Sequence, residues 1–122
     1  MDQVKVYQKP RVAVLNLSTH VVPWRLNPEP GQIRDSNGPL LSAFIQQDGG
    51  VLAGIKMAGK GETTVKNLAL DLLEQADILL ITGGTYAAGG NEAQMLMEEL
   101  GAEILYWEVP VQPGSHAGAS VL

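Results

Sequence analysis

Several short stretches of this chain combine residue types that could do chemistry, each at a point where the chain must turn. Thr82-Gly83-Gly84-Thr85 follows an all-apolar run, and its two glycines let backbone amides approach a ligand with no side chain between. Amides presented in that way suit an anion; the same pair also serves a tight strand-to-helix connection. No Gly-Lys-Ser/Thr follows, so this is not a P-loop. Ile33-Arg34-Asp35-Ser36-Asn37 sets a base, an acid and two neutral hydrogen-bonding groups ahead of an apolar-periodic segment. If that segment is a helix, its free N–H groups can receive a phosphate or carboxylate; alternatively Asp35 or Ser36 caps them and Arg34 stays in water. Ser18-Thr19-His20 and Pro113-Gly114-Ser115-His116 carry the two histidines, the general-base candidates near neutral pH. Neither histidine lies at a recognisable spacing from a serine nucleophile, and these loops hold too few ligands for a metal.

The elements that must position these loops read as follows. An extended lead-in with Val4 and Val6 on one parity breaks at Pro10, and a strand runs from Arg11 to Leu17. Pro23 to Gly31, with three prolines, is loop. Pro39 fits a first helical turn, Leu40, Leu41, Phe44 and Ile45 follow at helical spacing, and Gly49-Gly50 ends the helix. Val51 to Met57 reads as a strand and Ala58-Gly59-Lys60-Gly61 as a turn. Thr63 or Thr64 caps a helix built on Val65, Leu68, Ala69, Leu72 and Leu73. Ile78 to Thr82 is the all-apolar run of a buried parallel strand. A helix from Asn91 to Leu100 stops at Gly101, Ile104 to Val109 is a final strand, and the remainder is irregular. Alternating strands and helices predict an α/β fold: a three-layer α/β/α sandwich on a mostly parallel sheet, with ligands expected outside the carboxyl ends of the strands.

Composition narrows the function classes. At 122 residues, 45% apolar and 17% charged, the chain supports one globular domain over 1–122 and not two. A net charge of −5 without a basic stripe argues against nucleic acid as a partner. The absence of cysteine excludes disulfides, thiolate metal sites and a cysteine nucleophile. No apolar run approaches the ~18 residues of a membrane helix, and the N-terminus lacks a signal-peptide stretch, so a cytoplasmic location with no membrane contact is expected. Glu62, Asp71, Glu74, Glu98 and Glu99 read as solvated helix faces, and Met95, Leu96, Met97 and Leu100 as core. Trp24 could stack on a flat ligand or fill an oligomer contact.

Pro10-Arg11-Val12-Ala13-Val14-Leu15 and the run from Pro30-Gly31-Gln32-Ile33 through Arg34-Asp35-Ser36-Asn37-Gly38-Pro39-Leu40 resemble the molybdopterin-binding domain of the MoeA/gephyrin molybdotransferases. Ala76-Asp77-Ile78-Leu79-Leu80-Ile81-Thr82-Gly83-Gly84 and Tyr106-Trp107-Glu108-Val109 to Pro113-Gly114 continue the likeness in order. The resemblance implies a MogA-like three-layer domain of a longer MoeA-like protein, with residues 1–10 as an inter-domain lead-in. It places pterin and phosphate contacts at Asp35, Ser36, Asn37, Thr82, Gly83, Gly84 and Gly114, with molybdopterin or its adenylylated form as ligand. It also implies homo-oligomers and, in the full enzyme, Mg²⁺-assisted molybdate insertion.

Where the family carries acids after its first strand, this chain has Ser18-Thr19-His20; after the second it has Ala58-Gly59. The acidic loop after Gly-Gly becomes Tyr86 to Glu92, leaving Glu92 alone, and a lysine-rich Lys-Pro-Gly-Lys becomes Gln112-Pro113-Gly114-Ser115. A hard cation needs carboxylate oxygens, so Mg²⁺ binding is not expected. The expectation is a divergent cofactor-holding domain in molybdenum cofactor biosynthesis that lacks the Mg²⁺-dependent step. The alternatives are an active molybdotransferase with Glu92, His20 and His116 as shifted ligands, and an oligomerisation scaffold that binds no cofactor.

Overall fold

A computed structural model describes residues 3–58, 64–84 and 91–122. The Gly59-Lys60-Gly61 turn, Glu62, Thr63 and the stretch 85–90 with Tyr86 lie outside the described residues.

Strand β1 (Arg11–Asn16) alternates short and branched apolar residues, and Val12 to Asn16 are all buried. Burial on both faces is the mark of a central parallel strand, and β1 lies between β4 (Val51–Met57) and β5 (Ile78–Thr82), parallel to both. Side chains alternate across the sheet, so the two parities of β1 feed two cores. Val12 and Val14 pack with Ile45 of helix α1 (Asn37–Gln47). Ala13, Leu15 and Leu17 pack with Ala69 and Leu72 of α2 (Val65–Leu73) and with Ala93 and Leu96 of α3 (Glu92–Glu99). Helices thus cover both faces, giving the three layers that the alternation predicts. Burying each Leu, Ile or Val side chain contributes roughly 1.5–3 kcal/mol.

The helix starts follow from local chemistry. Thr64 is the cap of α2: its hydroxyl accepts from Asn67 N at 3.2 Å. Asn91 does the same for α3, accepting from Gln94 N at 3.3 Å.

Two features differ from the sequence reading. Strand β6 (Glu103–Trp107) pairs antiparallel with β7 (Gly118–Val121) in a separate ribbon, where an irregular end was expected. Proline and glycine hide β7 in the sequence, yet Gly118 is what makes the pairing fit: opposite it lies Trp107, whose ring occupies the space a Cβ would need. The Pro23 to Gly31 loop is indeed irregular, but it is closed at its base by a short parallel ladder of β2 (Val21–Val22) and β3 (Ile33–Arg34). Arg34 is exposed, as the solvated alternative expects, and its side chain also serves the loop. Its guanidinium donates to Leu26 O at 3.1 Å and to Asn27 Oδ1 at 2.8 Å, stitching the loop.

Candidate functional site

Parallel pairing brings the carboxyl ends of β1, β4 and β5 to one edge, and that edge is organised around Asn16. Asn16 is the last residue of β1, 3% exposed, in register with Met57 and Thr82 of the flanking strands. Its Nδ2 donates to Asp35 Oδ1 at 3.3 Å, its Oδ1 accepts from Ser18 N at 3.0 Å, and its carbonyl accepts from Ala58 N at 2.7 Å. The sequence reading did not single it out; a polar residue closing an otherwise apolar strand was the available signal.

Asp35, 7% exposed, lies beneath the start of α1 and its Oδ1 also accepts from Gly38 N at 3.0 Å. The cap of α1 is therefore the Asp35 carboxylate, while Ser36, at the cap position, makes no side-chain capping bond. Gly38 has a steric reason: a Cβ there would meet the Asp35 carboxylate. One further bond joins motifs 45 residues apart: Asn37 Nδ2 donates to Thr82 Oγ1 at 2.8 Å. Leu17 N donates to Thr82 O at 2.9 Å, tying the same strand end to β1.

Gly83 and Gly84 follow with φ of 84° and 73°, a backbone region that L side chains rarely adopt. A Cβ on Gly83 would stand 3.4 Å from Asn16 Oδ1 and Ser18 N; one on Gly84 would press on Leu17 Cδ1 at 2.9 Å and Glu92 Cβ at 3.1 Å. Glu92 opens α3, and its N–H donates to Gly84 O at 3.0 Å. Beyond it, Leu17, Thr19, Ala58, Val65, Met95 and Leu96 line an open groove of about 250 Å³, with Glu92 and Glu99 at its side.

Asp35, Asn37, Thr82 and Gly83 are thus brought together, with Ser36 and Gly84 beside them in the chain. Gly114 belongs to the turn between β6 and β7, with φ of 104°, and none of the hydrogen bonds that tie the cluster involves it. The histidines lie on separate turns. His20 is exposed and its carbonyl accepts from Ile33 N at 2.9 Å; His116 Nδ1 is 3.5 Å from Glu108 Oε1.

An ion pair ties the opposite edge. Arg11 donates from Nη2 to Asp77 Oδ1 at 2.7 Å and from Nε to Oδ2 at 3.2 Å, and its backbone N–H reaches Oδ2 at 2.8 Å. The bonds from the Arg11 side chain and backbone hold the Asp77 carboxyl well below its usual range, at about 2.

This arrangement matches known proteins along most of the chain. Residues 13–122 fit a family described as "Probable molybdopterin binding domain". A molybdopterin molybdenumtransferase of a Nostoc species is 35% identical over 117 residues, covering 92% of this chain and 26% of that protein. The enzyme of the same name from Staphylococcus epidermidis is 28% identical over 113 residues, covering 93% and 27%. The crystal structure of the molybdopterin biosynthesis MoeA protein from Pyrococcus horikosii superposes with a TM-score of 0.78 at 30% identity, over 96% of this chain and 28% of that one. The chain therefore spans about a quarter of the length of these relatives. No helix among the described residues is long and apolar enough to cross a membrane.

Proposed function

Because this chain belongs to the molybdopterin-binding domain family of molybdenum cofactor biosynthesis proteins, we propose that the Asn16 edge binds molybdopterin or its adenylylated form. Asp35, Ser36, Asn37, Thr82, Gly83 and Gly84 would supply the contacts, with Gly114, on the turn between β6 and β7, as the further contact that the family resemblance implies. The observation that carries this reading is the 2.8 Å bond from Asn37 to Thr82, which draws the start of α1 and the glycine turn into one polar surface. Backbone amides in the turn and the positive end of α1 favour the ligand's phosphate. Neutral amides and hydroxyls beside them can match the hydrogen-bonding edge of a pterin.

The proposed role is to hold the cofactor without the Mg²⁺-dependent step. Asp35, the buried carboxylate of the cluster, is engaged by Gly38 and Asn16, and the neighbouring oxygens belong to amides and hydroxyls. Mg²⁺ demands a rigid shell rich in carboxylate and phosphate oxygens, which this set does not supply. Among the described residues no lysine or arginine joins the cluster's hydrogen bonds, so affinity should be weak and change little with salt. A second reading has one specific observation behind it. Glu92 Oε2 stands 3.3 Å from where a Gly84 Cβ would lie, so a carboxylate does border the glycine turn. On that reading the parent protein is an active molybdotransferase with a shifted acid.

Calorimetric titration of the chain with molybdopterin, and with AMP as a fragment, each with and without Mg²⁺, tests both. Binding indifferent to Mg²⁺ is the expected result. Binding that strengthens with Mg²⁺ and is lost in Glu92→Ala would replace the first reading by the second. Absence of binding to either compound would reject both and leave self-association, measured by sedimentation, as the retained property.

A further inference from the structure

We propose that Asn16 is a positioning residue of the ligand site: its side-chain amide holds Asp35 beneath the start of α1 and backs Gly83, setting the separation of the two edges a ligand would bridge. The proposal rests on the ligand-site reading above. The demands on this position are specific. It must donate to a carboxylate on one side, at 3.3 Å, and accept an N–H on the other, at 3.0 Å. It must do so while 3% exposed, where a polar group without a partner has lost its water and gained nothing in return. Asparagine meets both demands at once, whereas an ionised aspartate only accepts and a leucine does neither. Because Gly83 approaches the same Oδ1, the amide orientation that serves Asp35 also fixes the floor under the glycine turn.

The chemistry of the pair supplies a test that a merely structural role would not pass. Asn16→Asp keeps the acceptor for Ser18 N but sets a second carboxylate against Asp35, the titratable group described in contact with this position. Glu92 lies beyond Gly84, and Arg34 is occupied by Leu26 and Asn27. Two carboxylates at that distance cannot both ionise cheaply, so one holds a proton to unusually high pH. Above that pH the pair repels and the α1 edge shifts; below it a shared proton restores the bond. Asn16→Asp combined with Asp35→Asn exchanges amide and carboxylate across the same contact and returns the original charge.

The experiment is calorimetric titration with molybdopterin between about pH 5 and 8, each variant's affinity divided by that of the unsubstituted chain at the same pH, with melting temperatures alongside. Asn16→Asp is expected to bind about tenfold more weakly at the alkaline end and to recover as pH falls, a loss of about 1.4 kcal/mol. The exchanged double variant is expected to return affinity to near the starting value throughout. Asn16→Ser, uncharged and too short to reach Asp35, is expected to lose several-fold affinity with no pH dependence, and it guards against misfolding of Asn16→Asp. A folded Asn16→Asp or Asn16→Ser with unchanged affinity at every pH would overturn the proposal alone. Failure of the unsubstituted chain to bind molybdopterin would overturn the ligand-site reading and this proposal together.

Discussion

The two edges of the three-stranded sheet solve the same problem with opposite chemistry. At the amino ends, β1 and β5 are tied by Arg11 and Asp77 through a forked, half-exposed ion pair. At the carboxyl ends, the same strands meet a largely uncharged cluster, buried at Asn16 and Asp35, half-buried at Thr82 and exposed at Asn37, in which each of the four satisfies a named partner. An exposed pair is screened by water and tolerates loss. A buried network must be complete, because each orphaned group loses its water without gaining a partner. The edge with the ion pair is the clamp, and the largely uncharged one is the place where geometry is tightly set.

This contrast can be broken most severely at Gly84. Gly84→Asp forces a side chain into a positive-φ turn against Leu17 and beside Glu92, so molybdopterin binding should vanish in calorimetry. Urea unfolding should register a loss of about 2–3 kcal/mol. Asn16→Leu comes next. It strands Ser18 N and deprives Asp35 of a donor, and about 2 kcal/mol of stability should be lost in the same assay.

At the clamp the effect is smaller and takes the form of a pH slope. The Asp77 carboxyl titrates near 2 when folded and near 3.8 when free, so its contribution is present above about pH 4 and fades as pH falls toward 2. In Asp77→Asn, thermal unfolding across that window should show a shallower decline with acid than the unsubstituted chain, and an equal slope would remove the clamp from the comparison. The smallest effect is expected at Ser36→Ala. Since Asp35 does the capping, stability should change by no more than about 0.5 kcal/mol, and a loss above 1 would mean that Ser36 caps α1 after all.

Much of the scaffold was legible. The strand expected over Arg11 to Leu17 forms over Arg11–Asn16, and Thr64, Asn91, Gly49 and Gly101 marked helix ends by mechanisms that act within a few residues. Strand β7 was not legible. Its pairing depends on a glycine making room for a tryptophan eleven positions earlier (118 − 107), which no local pattern encodes. The bonds of Arg34 and Asp77 were not legible either, because their partners, Leu26, Asn27 and Arg11, are supplied by chain folding.

The site divides along the same line. Which groups could meet a ligand was readable from residue type and order alone: a glycine pair after an apolar strand, and an acid with two neutral polar residues before a helix. The sequence could not say whether the N–H groups at that helix start would meet an anion or be capped by Asp35 or Ser36, because both uses need the same groups in the same place. Tertiary structure decided that by burying Asp35 against Gly38 and bringing Asn16, nineteen residues away, to donate to it. It likewise set Asn37 against Thr82 across forty-five residues. Local propensities act over one or two turns of chain, whereas the convergence of β1, α1 and β5 follows from the register of a parallel sheet, and only that register turns separate polar loops into one surface.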